Sequence, residues 1–314
     1  MGDIGGEVSV EKQKIKKQMF EAKIIKDSIG SQGQRLTTMQ LTHPRIIHAE
    51  FMTHRMFARC ASSSRAIPFP KVLEKVKNDP FLPVYWGVNQ KGMQAEQELA
   101  ADKQASAISK WLRARDLMIE VATDMADPDG LNVHKQIANR LLECWSFITV
   151  CVTGDAGAWS NFFSLRCHKM AQPEIQKVAF MARDAYAAST PDQLMEGQWH
   201  LPYITAEDLA LVSEVTAQTS VTNVAPPDID TLIKVSVGRC ARTSYLSQEG
   251  KRDLAADVAL HDRLVASQPL HASPAEHVCV ATGDLERHGC YTGWLSYRHT
   301  LQHEYVTDYT IPKA

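Results

Sequence analysis

Apolar residues change their period several times along this chain, and those changes constrain its fold more than any other feature. Over residues 22–41 β-branched residues alternate with polar ones, first in AKIIKDSI and again in RLTTMQLT, with GSQGQ between them. That pattern predicts two strands and a turn. Residues 46–57 are more helix-like, and CASSSRAIPFP, small and then proline-broken, reads as an ordered loop. Residues 93–125 follow helical spacing through Leu99, Ile108, Leu112, Leu117 and Val121, and Asp127-Pro128-Asp129-Gly130 ends the run. Residues 132–152, strongly apolar after Arg140, read as a second helix, and residues 155–166 begin a third element. Residues 171–188 form an amphipathic helix with Pro173 in its first turn. Residues 189–230 read as irregular, alternation returns in LIKVSVGRCARTSYLS, residues 253–266 read as a helix, and residues 278–305 read as strand-rich and then helical.

Length and composition remove several classes. The 314 residues suggest about two domains, or one large one. With 34 basic against 36 acidic side chains the chain lacks the basic excess of a general nucleic-acid binder. A pocket for a small anion needs only a few arginines, so that class stays open. No apolar run reaches the ~18 residues of a membrane span, and the lysines of the N-terminus precede no apolar core. Residues 1–20 are polar and expected to fray; Met1-Gly2 opens like a myristoylation site, but Gly6 stands where Ser or Thr is wanted. The seven cysteines are widely spaced without C-x-x-C, which fits free thiols in a reducing cytosol and none in an activated setting.

Chemistry-bearing residues gather in three places. Thr53-His-Arg-Met-Phe-Ala-Arg-Cys-Ala-Ser-Ser-Ser-Arg65 packs arginines, a histidine and three serines together, which suits a phosphate dianion or, more blandly, a solvated basic loop. No G-x-S-x-G or S-x-x-K supports covalent serine catalysis. Arg166 follows the apolar run of Asn161-Phe-Phe-Ser-Leu-Arg166, so it should be partly buried and need an anion; Glu174 is the structural choice, a ligand the functional one. Arg140 poses the same question. His271-Ala-Ser-Pro-Ala-Glu-His277 lacks metal-site spacing and reads better as an S-x-x-E capping box. Trp199-His-Leu-Pro-Tyr203 reads as a turn packed on the core. A weak repeat sets Glu50-Phe-Met-Thr-His-Arg55 above Gly293-Trp-Leu-Ser-Tyr-Arg298, each followed by a proline, Pro68 and Pro312.

At these residues the chain resembles the flavin-dependent thymidylate synthases, and more closely their longer, phage-type members. His54, Arg55, Ser63 and Arg65 match the family's R-H-R-x-x-S signature and its tail, while Thr53, Ala58, Cys60 and Ala61 depart from it. Asn161, Leu165, Arg166, Ala171, Gln172, Glu174 and Ile175 match a second pattern, and Arg140 stands where the family has a nucleotide-binding arginine. The family's H-x-[ST]-P-x-E-H segment normally precedes the R-H-R strand; here it is residues 271–277, followed by Trp294, Arg298 and Glu304, as a partial second copy.

The resemblance implies an α/β (α+β) fold, a mixed β-sheet packed with long helices. It divides the chain into a flexible N-terminus (1–20), a nucleotide and FAD domain (21–205), a linker (206–230) and a partial second half (231–314). It implies one-carbon transfer from methylene-tetrahydrofolate to carbon 5 of dUMP, giving dTMP, with FAD as cofactor, NADPH as its reductant and no cysteine nucleophile. Arg166 would stabilise charge on the pyrimidine, and Glu50, Ser63, Ser64, Arg65 and Arg140 would hold the nucleotide. His54, Arg55, Asn161, His277, Arg298 and Glu304 would contact the cofactor or folate, with no metal. The departures leave open a relative acting on dCMP or making a hydroxymethyl product, and a non-catalytic flavin or nucleotide binder. A homo-oligomer, dimer or tetramer, in the cytoplasm (a host's, if phage-encoded), without nucleic-acid or membrane partners, is the expected setting.

Overall fold

The computed structural model of the chain describes residues 19–219, 228–245, 253–267, 270, 273–302 and 304. The Met1-Gly2 reading, the fraying of residues 1–18, His271, Pro312 and residues 220–227 of the expected linker lie outside the described residues.

Five strands make the main sheet: β1 (Glu21–Gly30), β2 (Arg35–Pro44), β3 (Ala58–Ala61), β4 (Phe147–Asp155) and β5 (Asp192–Leu194), in the order β3-β4-β2-β1-β5. Interleaved with them are α1 (His48–Phe51), α2 (Phe69–Asn78), α3 (Ala101–Ala126), α4 (Lys135–Ala138), α5 (Ala156–Arg166) and α6 (Pro173–Ala188). The alternating segments become the antiparallel pair β1 and β2, joined by a turn in which Gly33 takes a φ of 82°, a conformation glycine reaches without a Cβ clash. Pairing of β1 with β5 is parallel, so the sheet is mixed.

Strand β4 corrects the helix expected over residues 132–152. It is paired on both sides, with β2 and with β3. A strand covered on both faces reads as a near-continuous apolar run rather than an alternating one, and FITVCVTGD carries the β-branched residues that fit a pleated surface. Helix there is confined to α4 and a 3-10 segment, Asn139–Trp145.

Each face of the sheet has its own cover. Met39, Leu41, Val150 and Val152 pack with Trp159 and Phe162 of α5 and Ile175 and Val178 of α6. Residues of opposite parity, Leu36 and Ala58, meet Cys279, Ala281, Tyr291 and Trp294 from the C-terminal part. That part holds β6 (Trp199–His200), α7 (Ala206–Thr219), α8 (Ile229–Arg242), α9 (Leu254–Val265), β7 (Cys279–Ala281), β8 (Arg287–His288), β9 (Tyr291–Thr292) and β10 (Trp294–Ser296). A second, small sheet runs β10-β7-β6. Its residue His200 is buried and bonds Thr38 and Ser28 of the main sheet, so Trp199 to Tyr203 does pack on the core.

Two further expectations are corrected. Residues 206–219, read as irregular linker, form α7, and the signal for it is a Thr205-x-x-Asp208 cap in which the Thr205 amide donates to Asp208 Oδ2 at 2.8 Å. LIKVSVGRCAR, read as alternating, is helix α8, buried almost all round and therefore without a polar stripe to betray its period. The two segments aligned as a repeat also differ here: Glu50 and Phe51 close α1, whereas Trp294–Ser296 is a strand.

Candidate functional site

Helix α1 is a single turn, anchored by Phe51, which is fully buried. It and the turn after it hold Glu50, Thr53 and His54 against the last residue of α5, Arg166. The Arg166 Nε donates to His54 Nε2 at 2.8 Å, Nη1 pairs with Glu50 Oε1, and Nη2 donates to Thr53 Oγ1 at 3.4 Å. Three donors on three partners fix the plane of the guanidinium and leave two of its five N–H groups for another acceptor. Glu50 is thus the anion that Arg166 requires. Glu174, the partner expected from sequence, instead accepts from the Val84 amide and Gln172 Nε2, both at 3.0 Å.

His54 is held neutral. Burial, then the positive charges of Arg166 and Arg59, lower its pKa from 6.5 to about 4. Since Arg166 Nε can only donate, His54 Nε2 is the acceptor and the ring proton sits on Nδ1. The ring stands edge-on to Phe162, centroids 5.0 Å apart.

A second group forms where β3 runs into the serine loop. The loop is ordered, as expected: Asn139 Nδ2 donates to the carbonyls of Ser64 and Ile67 at 2.6 and 3.0 Å, and Lys135 Nζ donates to that of Ala66 at 2.9 Å. The Arg65 amide donates to Ser63 Oγ at 3.3 Å. Ser64 Oγ donates to Glu143 Oε1 at 2.8 Å and Arg140 Nη1 to the same oxygen at 3.0 Å, with Arg45 Nη1 3.8 Å from it. Ser63, Ser64, Arg65 and Arg140 are therefore brought to one place. The Arg65 side chain is exposed and makes no ion pair among the described residues.

Between the two groups lie His48 and Arg59. Burial and the charges of Arg45 and Arg59 lower the His48 pKa to about 4. Arg59 donates to the carbonyls of Met52 and His54. Burial pushes its guanidinium down while Glu276, Cys290 and Tyr291 pull it up, so the C-terminal part faces it. Glu276 is clamped by Arg298 Nη1 at 2.5 Å, and Glu304 reaches Arg298 Nε at 3.4 Å and His299 Nδ1 at 2.8 Å. That clamp, with Ser273–Glu276 a 3-10 turn, replaces the expected capping box. Arg55 and Asn161 are exposed, one beside His54 and the other on α5.

His277 is set back from these groups and fully buried. Its Nδ1 lies 2.8 Å from Thr153 Oγ1 and 3.7 Å from Cys151 Sγ, while its Nε2 has no partner among the described residues. Burial opposes charge at both side chains, yet the neighbouring Cys240 and His277 hold the Cys151 thiol well below its usual range, and Cys151 and Cys60 hold His277 well above its own. Cys151 sits in the interior with Cys60 and Cys240. Among the described residues no group of three or more His, Cys, Asp or Glu is arranged to hold a metal ion, and no helix is long and apolar enough to cross a membrane.

Arg45, His48 and Glu143 escaped the sequence reading. Glu143 carried one local signal, its i, i+3 spacing from Arg140. The other two stand before the motif and contain no pattern of their own.

A sequence profile described as "Thymidylate synthase complementing protein" matches residues 34–192. No curated protein matches the chain. Solved structures similar to it include a UMP/dUMP methylase PolB from Streptomyces cacaoi bound with 5-Br UMP, at 16% identity and a TM-score of 0.46, over 57% of this chain and 91% of that one. Thymidylate Synthase X from Helicobacter pylori, with FAD and dUMP, is similar at 16% identity and a TM-score of 0.33, over 48% of this chain and 67% of that one. The profile match spans the Arg166 group and the serine loop alike.

Proposed function

The chain belongs to the thymidylate synthase complementing protein family, enzymes of the thymidylate synthase-like methyltransferase kind, and on that premise we propose that it transfers a one-carbon unit from methylene-tetrahydrofolate to carbon 5 of dUMP. The observation that carries the reading is Arg166, its guanidinium fixed by Glu50, His54 and Thr53 with N–H groups to spare. A cation pre-set in this way stabilises negative charge that develops on a pyrimidine without having to reorganise. Neutral His54 serves it as an acceptor and adds no repulsive charge. Thr53 stands where the family has arginine, yet it still bonds Arg166, which supports a working site despite that departure.

Ser63, Ser64, Arg65 and Arg140 would hold the nucleotide's phosphate, through a hydroxyl, planar guanidinium groups and the serine-loop backbone. FAD fits the remaining donors: Arg55, next to His54 in the chain, and Asn161, on α5 ahead of Arg166, are exposed cationic and amide groups, suited to a polyanionic cofactor. Bound FAD would supply the hydride for reductive transfer, with NADPH as its source. His54, Arg55 and Asn161 would hold it directly. Buried His277 would act from behind, by fixing Thr153 and Cys151 of β4.

The partial second half, residues 231–314, would complete this same site. Glu276 and Tyr291 face Arg59, and the Thr292 amide donates to Asp155 Oδ2 at 3.1 Å. A homo-oligomer, dimer or tetramer, in the cytoplasm is the setting we propose; sedimentation as a stable flavin-bound monomer would exclude the oligomer. The deciding assay incubates purified protein with FAD, NADPH, methylene-tetrahydrofolate and either dUMP or dCMP and reads product mass. A gain of one methyl group on dUMP supports the proposal. Product from dCMP alone, or a hydroxymethyl mass, moves the chain to an altered-base enzyme, and colourless protein that FAD cannot reconstitute makes it a non-catalytic relative.

A further inference from the structure

The anion seat beside the serine loop already contains an anion. Ser64 Oγ, Arg140 Nη1 and Arg45 Nη1 all converge on one oxygen, Oε1 of Glu143, at 2.8, 3.0 and 3.8 Å. A carboxylate oxygen and a phosphoryl oxygen accept from guanidinium and hydroxyl donors in the same way. Glu143 is a quarter exposed and Arg140 half exposed, whereas Arg45 is mostly covered, so the carboxylate sits at the mouth of the seat and not in its floor. The small cavity beneath is walled by Arg45, Ser64, Asn139 and Glu143 itself.

We propose that Glu143 is an internal stand-in for the nucleotide's phosphate, which a ligand must displace from Ser64 and Arg140 to bind. This rests on the reading above, that the serine loop and Arg140 form the phosphate seat. The consequence is a cost that only a phosphate-bearing ligand meets. A phosphate dianion offers two charges and three acceptor oxygens against one carboxylate, and it wins the exchange. A nucleoside has nothing to offer in return, and a singly charged ester gains little over the carboxylate it replaces. Glu143 thereby lowers the affinity for the nucleotide and leaves that for the nucleoside untouched, and until a phosphate arrives it keeps Ser64 and Arg140 partnered. Two alternative roles are open to a carboxylate here. It could merely aim Arg140, or it could stabilise the loop. Both predict that its loss weakens nucleotide binding, the opposite sign.

The test is calorimetric titration of the full chain with dUMP and with deoxyuridine, for wild type, E143Q, E143A and R140A. E143Q keeps the shape and removes the charge; E143A removes the side chain as well, and circular dichroism checks that each variant is folded. The expected result is dUMP binding about three- to tenfold tighter in E143Q and E143A, the range a half-exposed ion pair can supply. Deoxyuridine binding should not change, while R140A weakens dUMP alone. Unchanged or weaker dUMP binding in both Glu143 variants, with R140A still weakened, overturns the stand-in and leaves the seat. R140A binding dUMP as well as wild type removes the seat itself, and this proposal with it.

Discussion

The side chain on which most depends is Arg166. Replacement by alanine deletes the one cation aimed at the base and strands Glu50 and His54, while the rest of α5 keeps its contacts. Nucleotide-dependent turnover of R166A should fall by about 10²–10³ or more, with the far-ultraviolet spectrum intact; turnover near wild type would exclude the role given to it. His54 and Arg166 were legible because each sits in a motif. Glu50 was named as a nucleotide contact, but its pairing with Arg166, 116 residues away, was not legible, since no pattern joins the two. Titration belongs to this scale too. Burial holds His43 at about 4 against an ordinary 6.5, and His48 and His54 share that value. A histidine whose folded pKa is depressed adds stability above pH 6.5 that is lost as the pH falls towards 4, because only the unfolded chain takes up the proton there. For fully buried His43 the shift corresponds to about 3 kcal/mol. Melting temperature should therefore drop between these two pH values, and His43→Gln should flatten the drop. An equally steep profile in that variant would show that other groups carry it.

At the scale of elements, the misread segments share a cause. Strand β4 and helix α8 are both covered on nearly every side, and total burial erases the polar stripe or alternation from which periodicity is read. The half-exposed elements β1 and α6 kept theirs and were legible. Helix α8 also carries a tight backbone packing constraint in the C-terminal part. A Cβ on Gly238 would stand 2.4 Å from the Asp257 carbonyl oxygen, so α9 approaches there as only glycine permits. Nearby, Arg239 spans Asp208 of α7 and Asp257 of α9, at 2.5 and 2.9 Å. Gly238→Ala should push the helices apart and strain that bridge, at a cost of about 2 kcal/mol or more. A lowered denaturation midpoint checks it, and an unchanged one would mean that α9 moves away freely.

Across the whole molecule, the main sheet is finished by residues from both ends of the chain. Leu36 and Ala58 would face solvent without Tyr291 and Trp294, so the N-terminal and C-terminal parts should melt in one transition. Two separated calorimetric peaks would contradict that. The sequence order of motifs suggested a second copy because the H-x-S-P-x-E-H segment comes last; linear order cannot reveal that its Glu276 faces Arg59 of the first motif.

The four buried cysteines give the folded protein a built-in clock. Cys144 and Cys290 are exposed and Cys167 is half-buried, whereas Cys60, Cys151, Cys240 and Cys279 are buried. A short pulse of iodoacetamide should tag the exposed pair at once, Cys167 more slowly, and the buried four only when the covers part. Counting tags by mass against time would then read how often the molecule opens, with no dye, label or engineered probe.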